Sequence, residues 1–106
     1  MSAMQRRKGA RIEREIVNRH KELGVHAERV VMSGAVKGVR MGNGHDVDIY
    51  LKERAAPLCC EVKGGQQVPK FCLSALGEND ALFLRRDNAE PVVMVPWRVW
   101  KELVTR

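Results

Sequence analysis

Residues 46–63 read DVDIYLKERAAPLCCEVK, and their alternation decides the fold. Over Asp46 to Leu51 a strand is expected, with Val47, Ile49 and Leu51 on one face and Asp46, Asp48 and Tyr50 on the other. Lys52 to Pro57 is a polar turn. Leu58 to Lys63 gives a second strand, with Leu58, Cys60 and Val62 opposed to Cys59, Glu61 and Lys63. A hairpin turning between Arg54 and Ala55 keeps both apolar sets on a common face and sets Asp48 opposite Glu61. Opposed β-carbons lie about 4.5–5.5 Å apart. Two carboxylates there repel by roughly 3 kcal/mol at an effective dielectric of about 20. A cation between them relieves that repulsion. Lys63, on the same face as Glu61, is one such charge. A hard divalent ion such as Mg²⁺, which takes a few carboxylates plus waters, does it more completely.

Outward from the hairpin, Ile12, Ile16, Val17, His20 and Leu23 recur at helical spacing, so a helix is expected from about Lys8 to Leu23, stopped by Gly24. Residues 1–7 are expected to be a flexible basic arm. Val25 to Met32 reads as a strand. The stretch SGAVKGVRMGNGH, residues 33–45, holds four glycines and reads as a mobile loop. Past Gly64-Gly65, a short helix is expected over Pro69 to Leu76, with Pro in its first turn. Strands over Asp80 to Arg85 and Pro91 to Val95 flank the turn RDNAE, and Trp97 to Val104 closes the sequence as a helix. The order α-β-β-β-α-β-β-α is an α/β architecture, a mixed β-sheet flanked by helices.

With 106 residues, the chain fits one domain, residues 1–106. Hydrophobic residues at 44% and charged residues at 30% are ordinary globular values, which excludes global disorder. No apolar run approaches the ~20 residues of a membrane span. The N-terminal charges are followed by no apolar stretch, so no signal peptide is read and a cytoplasmic location is expected. Three cysteines, Cys59, Cys60 and Cys72, are odd in number and include no CxxC pair. They read as small hydrophobes in a reducing compartment, not as a disulfide framework or zinc knuckle. Nineteen Lys and Arg against thirteen Asp and Glu leave a charge of +6, which favours a polyanionic partner. Arg6, Arg7, Lys8, Arg11 and Arg14 crowd the N-terminus, and Lys37 and Arg40 sit in the Gly-rich stretch.

Glu13 adds a third acid to the hairpin pair. It precedes Ile16 and Val17 by three and four residues, at the edge of the core-facing stripe, whereas Glu15 faces water. The chemistry that uses such a set is phosphodiester hydrolysis. Asp48, Glu61 and the backbone carbonyl of Val62 are the candidate ligands of a metal that polarises the phosphoryl oxygen and activates a water. Lys63 is the candidate to steer that water and offset developing charge. A salt-bridged surface hairpin is the plain alternative.

The run D48-x(12)-E61-V62-K63 resembles the PD-(D/E)XK nuclease signature, and Arg7-Lys8-Gly9-Ala10-Arg11-Ile12-Glu13-Arg14-Glu15 resembles the opening of the archaeal-type (Hjc-like) Holliday junction resolvases. The resemblance covers residues 7–63. It implies a restriction-endonuclease-like fold and an Mg²⁺-dependent endodeoxyribonuclease, with Mn²⁺ as a substitute metal. It also implies Glu13, Asp48, Glu61 and Lys63 as catalytic residues, Glu13 reaching the metal through water. Ser33 matches a serine many members carry after the first strand and is counted among the DNA-binding residues. Val47 departs from the family's frequent Pro. Asp46 is an extra acid on the face of Asp48 and a rival ligand, and Gln66 or Gln67 is a further candidate beside the site. The resemblance also implies a homodimer acting on a four-way junction. A two-fold interface needs a self-complementary patch; of Trp97 and Trp100 on the last helix, with Val99 and Leu103 nearby, one reads as core packing and the other as an interface residue. The basic arm (Arg6, Arg7, Lys8, Arg11) together with Lys37 and Arg40 is expected to grip phosphates without reading bases. Two other readings stay open: a nuclease of this type acting on a repair or restriction substrate, and a non-catalytic DNA-binding module.

Overall fold

A computed structural model describes residues 3–30 and 45–106, with side chains described from residue 9 onward. The chain divides into two compact units, Met1–Gly65 and Gln66–Arg106, where length alone suggests one domain.

The first unit opens with helix α1, Ala3–Glu22. The helix begins earlier than Lys8, so the expected flexible arm is corrected for residues 3–7: Ala, Met, Gln and Arg are strong helix formers and extend it. At the other end, Gly24 takes φ 80°, and the backbone amides of Leu23 and Val25 both donate to the His20 carbonyl. Only glycine adopts that conformation without strain, which is why the helix stops there. His20 is 1% exposed, and its Nδ1 lies 2.7 Å from the Ile16 carbonyl, so the buried ring spends its polar edge inside its own helix.

Strands β1 (His26–Arg29), β2 (Val47–Tyr50) and β3 (Leu58–Cys60) pair in that order, antiparallel throughout. Helix α1 packs on β1 and β2. Val17, Val25, Ala27, Val47 and Ile49 are buried and form the core of this unit. The alternation of β2 is as read from sequence, with Val47 and Ile49 buried and Asp48 and Tyr50 half-buried on the other face.

The register differs from expectation. Val47 pairs with Cys60, Asp48 with Cys59 and Ile49 with Leu58, so the hairpin centres between Glu53 and Arg54. Asp48 therefore faces Cys59, not Glu61. The hydrophobic pattern cannot detect this, because a two-residue slip keeps every side chain on its own face. The Arg54 amide donating to the Leu51 carbonyl sets the tighter turn.

The second unit holds α2 (Lys70–Leu76), β4 (Leu82–Leu84), β5 (Val92–Met94) and α3 (Trp97–Val104). Pro69 caps α2, and Gly77 ends it with its amide on the Leu73 carbonyl. Strands β4 and β5 form a separate antiparallel pair, with Asn88 at φ 57° in the intervening turn. The expected single mixed sheet is thus corrected. Among the described residues all strand pairing is antiparallel, and it falls in two sheets. The order of helices and strands is as expected, and the α/β class holds. Cys72, Leu76 and Val104 are the buried apolar residues of this unit. Arg98 of α3 donates to the Asp80 carboxylate and to the carbonyls of Glu78 and Asn79, tying the helix to the segment before β4. No helix among the described residues is long and apolar enough to cross a membrane.

Ile49 is 2% exposed and Val93 51% exposed. We expect Ile49→Ala to cost about 2–5 kcal/mol and Val93→Ala less than about 1 kcal/mol. Urea unfolding of the two variants checks this, and equal costs would contradict the burial assigned to β2.

Candidate active site

Each of the four acids singled out in the sequence has a defined partner. Glu13 projects from α1 as a half-buried carboxylate, and Arg29 at the end of β1 donates Nε–H to its Oε1 at 3.0 Å. Arg29 pairs with Val47 in the sheet, so it stands on the helix-facing side, where it reaches α1. Asp48 extends from the opposite face of β2, and its Oδ1 lies 2.6 Å from His45 Nε2. Both side chains are sheltered, His45 at 14% and Asp48 at 17% exposure. Glu61 follows β3 and pairs with Lys63 at 3.7 Å, both well exposed. Glu15 is exposed and bonded to Arg19, so it faces water as expected.

Asp46 does a different task. The β2–β3 ladder ends at Val47 and Cys60. Just beyond it, the Asp46 amide donates to the Cys60 carbonyl at 2.8 Å, and Asp46 Oδ2 accepts the Val62 amide at 2.8 Å. A side chain thus replaces the strand partner that Val62 would otherwise lack, and it fixes the backbone between Glu61 and Lys63. Close by in sequence, a side chain at Gly64 would strike Ile12 of α1. The glycine lets the chain leave β3 against the helix.

The structure does not bring Glu13, Asp48 and Glu61 together. Among the described residues, the set of three ionisable donors that does converge is His45, Asp48 and Cys59, whose donor atoms all lie within 4.8 Å of one another. Sequence reading missed His45 and Cys59. Cys59 was already placed on the face of Asp48 once Glu61 was; only the register concealed that it stands directly across. His45, three residues before Asp48 in a glycine-rich stretch, carried no periodic signal.

Arg11 is exposed on α1, and the side chains of Arg6, Arg7 and Lys8 lie outside those described. Ser33, Lys37 and Arg40 lie outside the described residues altogether. Gln67 is exposed in a 3-10 turn of the second unit.

Two titrations are displaced. The Cys60 thiol is pushed up, first by burial and then by Cys59 and Asp48. Tyr50 donates its hydroxyl to Glu28 at 3.0 Å on the same face as Asp48, and the His26 ring lies 4.8 Å from it. That hydrogen bond, with small desolvation and the charges of Glu28 and Asp48, raises the phenol above its ordinary 10.0.

Comparisons of the chain with protein-family models, with curated proteins and with solved structures return no match.

Two outcomes follow. Tyr50 is the single tyrosine, so phenolate absorbance reads one group. Glu28→Gln should bring its titration down toward 10.0. The sign follows from the raised value: the contact stabilises the fold below the ordinary phenol pKa and is lost as pH rises through the folded one. An unchanged titration in Glu28→Gln would contradict the bond. Separately, Asp46→Ala orphans the Val62 amide and should cost about 1–3 kcal/mol, whereas Asp46→Asn keeps an acceptor oxygen and should recover much of the loss. Thermal unfolding and the exchange rate of the Val62 amide measure both.

Proposed function

We propose that the chain is a metal-dependent endodeoxyribonuclease of the PD-(D/E)XK type, and that its substrate is a four-way DNA junction. The observation that carries this reading is the order of chemistry along the fold: Glu13 on α1, Asp48 on β2, and Glu61-Val62-Lys63 immediately after β3. Asp46 supports it by fixing the Val62 backbone, and hence the segment that carries both the acid and the lysine.

The donors suit a hard cation chemically, being two carboxylates and a backbone carbonyl. Asp48, Glu61 and the Val62 carbonyl would hold Mg²⁺ (or Mn²⁺) only on closing up from the separate positions they take here, and Glu13, held by Arg29 on the helix side of the sheet, stands on the face away from Asp48. That ion supplies Lewis acidity toward the phosphoryl oxygen and a more acidic bound water. The chain's own groups do the rest. Lys63, on a flexible exposed stem beside Glu61, orients the attacking water and offsets charge developing on the phosphate. Arg29 holds Glu13 and His45 holds Asp48, so both carboxylates are kept in place by cationic or hydrogen-bonding groups before the substrate arrives. The net charge of +6, with Arg11 and the basic N-terminal run, attracts the DNA backbone without reading sequence. Two copies related by a two-fold axis would address the two symmetric strands of a junction.

A second reading is favoured by one observation, that the three acids do not share a cluster: a DNA-binding module on this scaffold without cleavage. A cleavage panel separates the two. We expect symmetric nicks in a four-way junction with Mg²⁺ and none in duplex, flap or single strand. Asp48→Asn and Lys63→Ala should each lower the rate by at least about 100-fold while junction binding persists. Full activity in Lys63→Ala would defeat the mechanism. Equal cutting of plain duplex would make the chain a general nuclease, and binding without nicks would favour the module. Junction affinity should fall steeply with salt, and a flat response would remove the basic run from the interface.

A further inference from the structure

We propose that His45, Asp48 and Cys59 form a three-ligand binding site for a borderline-soft divalent cation of the Zn²⁺ class, which shares Asp48 with the oxygen set of the nuclease reading and differs from it in its imidazole and thiol donors. The three donors are an imidazole nitrogen, a carboxylate oxygen and a thiol sulfur, and their atoms lie within 4.8 Å of one another. The fold sets two of the three side by side. Asp48 and Cys59 are direct cross-strand partners on adjacent antiparallel strands, which puts their side chains side by side on one face. His45 then turns back from the residues before β2 to reach the same carboxylate oxygen.

The ligand types select the ion. A thiolate and an imidazole suit zinc, or cobalt in its place, and neither is a magnesium ligand of choice. Metal–ligand distances of about 2.0–2.3 Å around one ion require donors roughly 3–4 Å apart. Small rotations of side chains that already stand within 4.8 Å satisfy this. Exposure is graded in a useful way. His45 and Asp48 are sheltered, whereas Cys59 is exposed. The ion therefore has a route in through the thiol side, and three protein ligands leave a fourth position for water or a ligand group. On binding, the Cys59 thiol gives its proton to solvent and coordinates as thiolate. Cys60 belongs to the opposite, partly buried face and pairs with Val47, so it is an internal control.

The test uses the full chain and Co²⁺ as the probe, with no DNA present. Wild-type protein should bind one Co²⁺ per chain and develop a thiolate-to-cobalt charge-transfer band that excess Mg²⁺ does not remove. Cys59→Ser should abolish the band and weaken Co²⁺ binding by at least about 10–100-fold. Cys60→Ser should leave both unchanged. His45→Ala should weaken binding comparably, while far-UV circular dichroism verifies that each variant is folded. A band that is absent from folded wild-type protein, that survives Cys59→Ser, or that Mg²⁺ displaces, overturns the site. Because no cleavage is measured, a failed nuclease panel leaves this result standing, and an absent cobalt band leaves the nuclease reading standing.

Discussion

Burial of Val47 and Ile49 beneath α1 is the constraint from which the first unit follows. The two side chains are 0% and 2% exposed, and the strand that carries them is the central one of its sheet. Side chains alternate strictly along a strand, so covering these two forces Asp48 and Tyr50 onto the far face. Everything polar there is then arranged around that outcome: Tyr50 against Glu28 and His26, Asp48 against His45 and Cys59. Arg29 is the exception that proves useful. It lies across from Val47 on the helix side, and its length lets it leave the core and meet Glu13.

Each acid that gives the chain its chemical interest has a partner within it. Arg29 and Lys63 pair with Glu13 and Glu61, His45 Nε2 lies within hydrogen-bonding distance of Asp48, and Asp46 spends an oxygen on a backbone amide. These contacts differ in strength. The Glu61–Lys63 pair is exposed and contributes little to stability. The Glu13–Arg29 and Asp48–His45 contacts are sheltered and short, so they hold their side chains in defined positions. The segment around Val62 is therefore held at its backbone, while the Glu61 and Lys63 tips stand in solvent.

Much of this was legible beforehand. The helix over residues 70–76 was announced by Pro69 at its start, the helix over 97–104 was expected over those same residues, and the period-two pattern of residues 46–51 told which face of β2 is buried. What was not legible had physical causes. A register slip of two residues leaves the apolar pattern intact, so Cys59 and Glu61 were interchangeable as partners of Asp48 on pattern alone. The start of α1 was misplaced because residues 3–7 are helix formers without apolar periodicity. The role of Asp46 depends on where a ladder stops, which no alternation encodes. Ser33, Lys37 and Arg40, read as DNA-binding residues, fall outside the described residues.

The contacts of Arg98 carry a consequence for the last forty or so residues. Three apolar side chains, Cys72, Leu76 and Val104, are buried in that unit, while Phe71, Phe83 and Val92 remain largely open to solvent. One planar cation reaching a carboxylate and two carbonyls links α3 to the segment before β4, and because that ion pair is exposed the link is a weak one. Polar fastenings of this kind let go locally before a tightly packed interior does. Breathing of the polypeptide should accordingly start around α3, and amide protons there should trade with solvent sooner than those of β2.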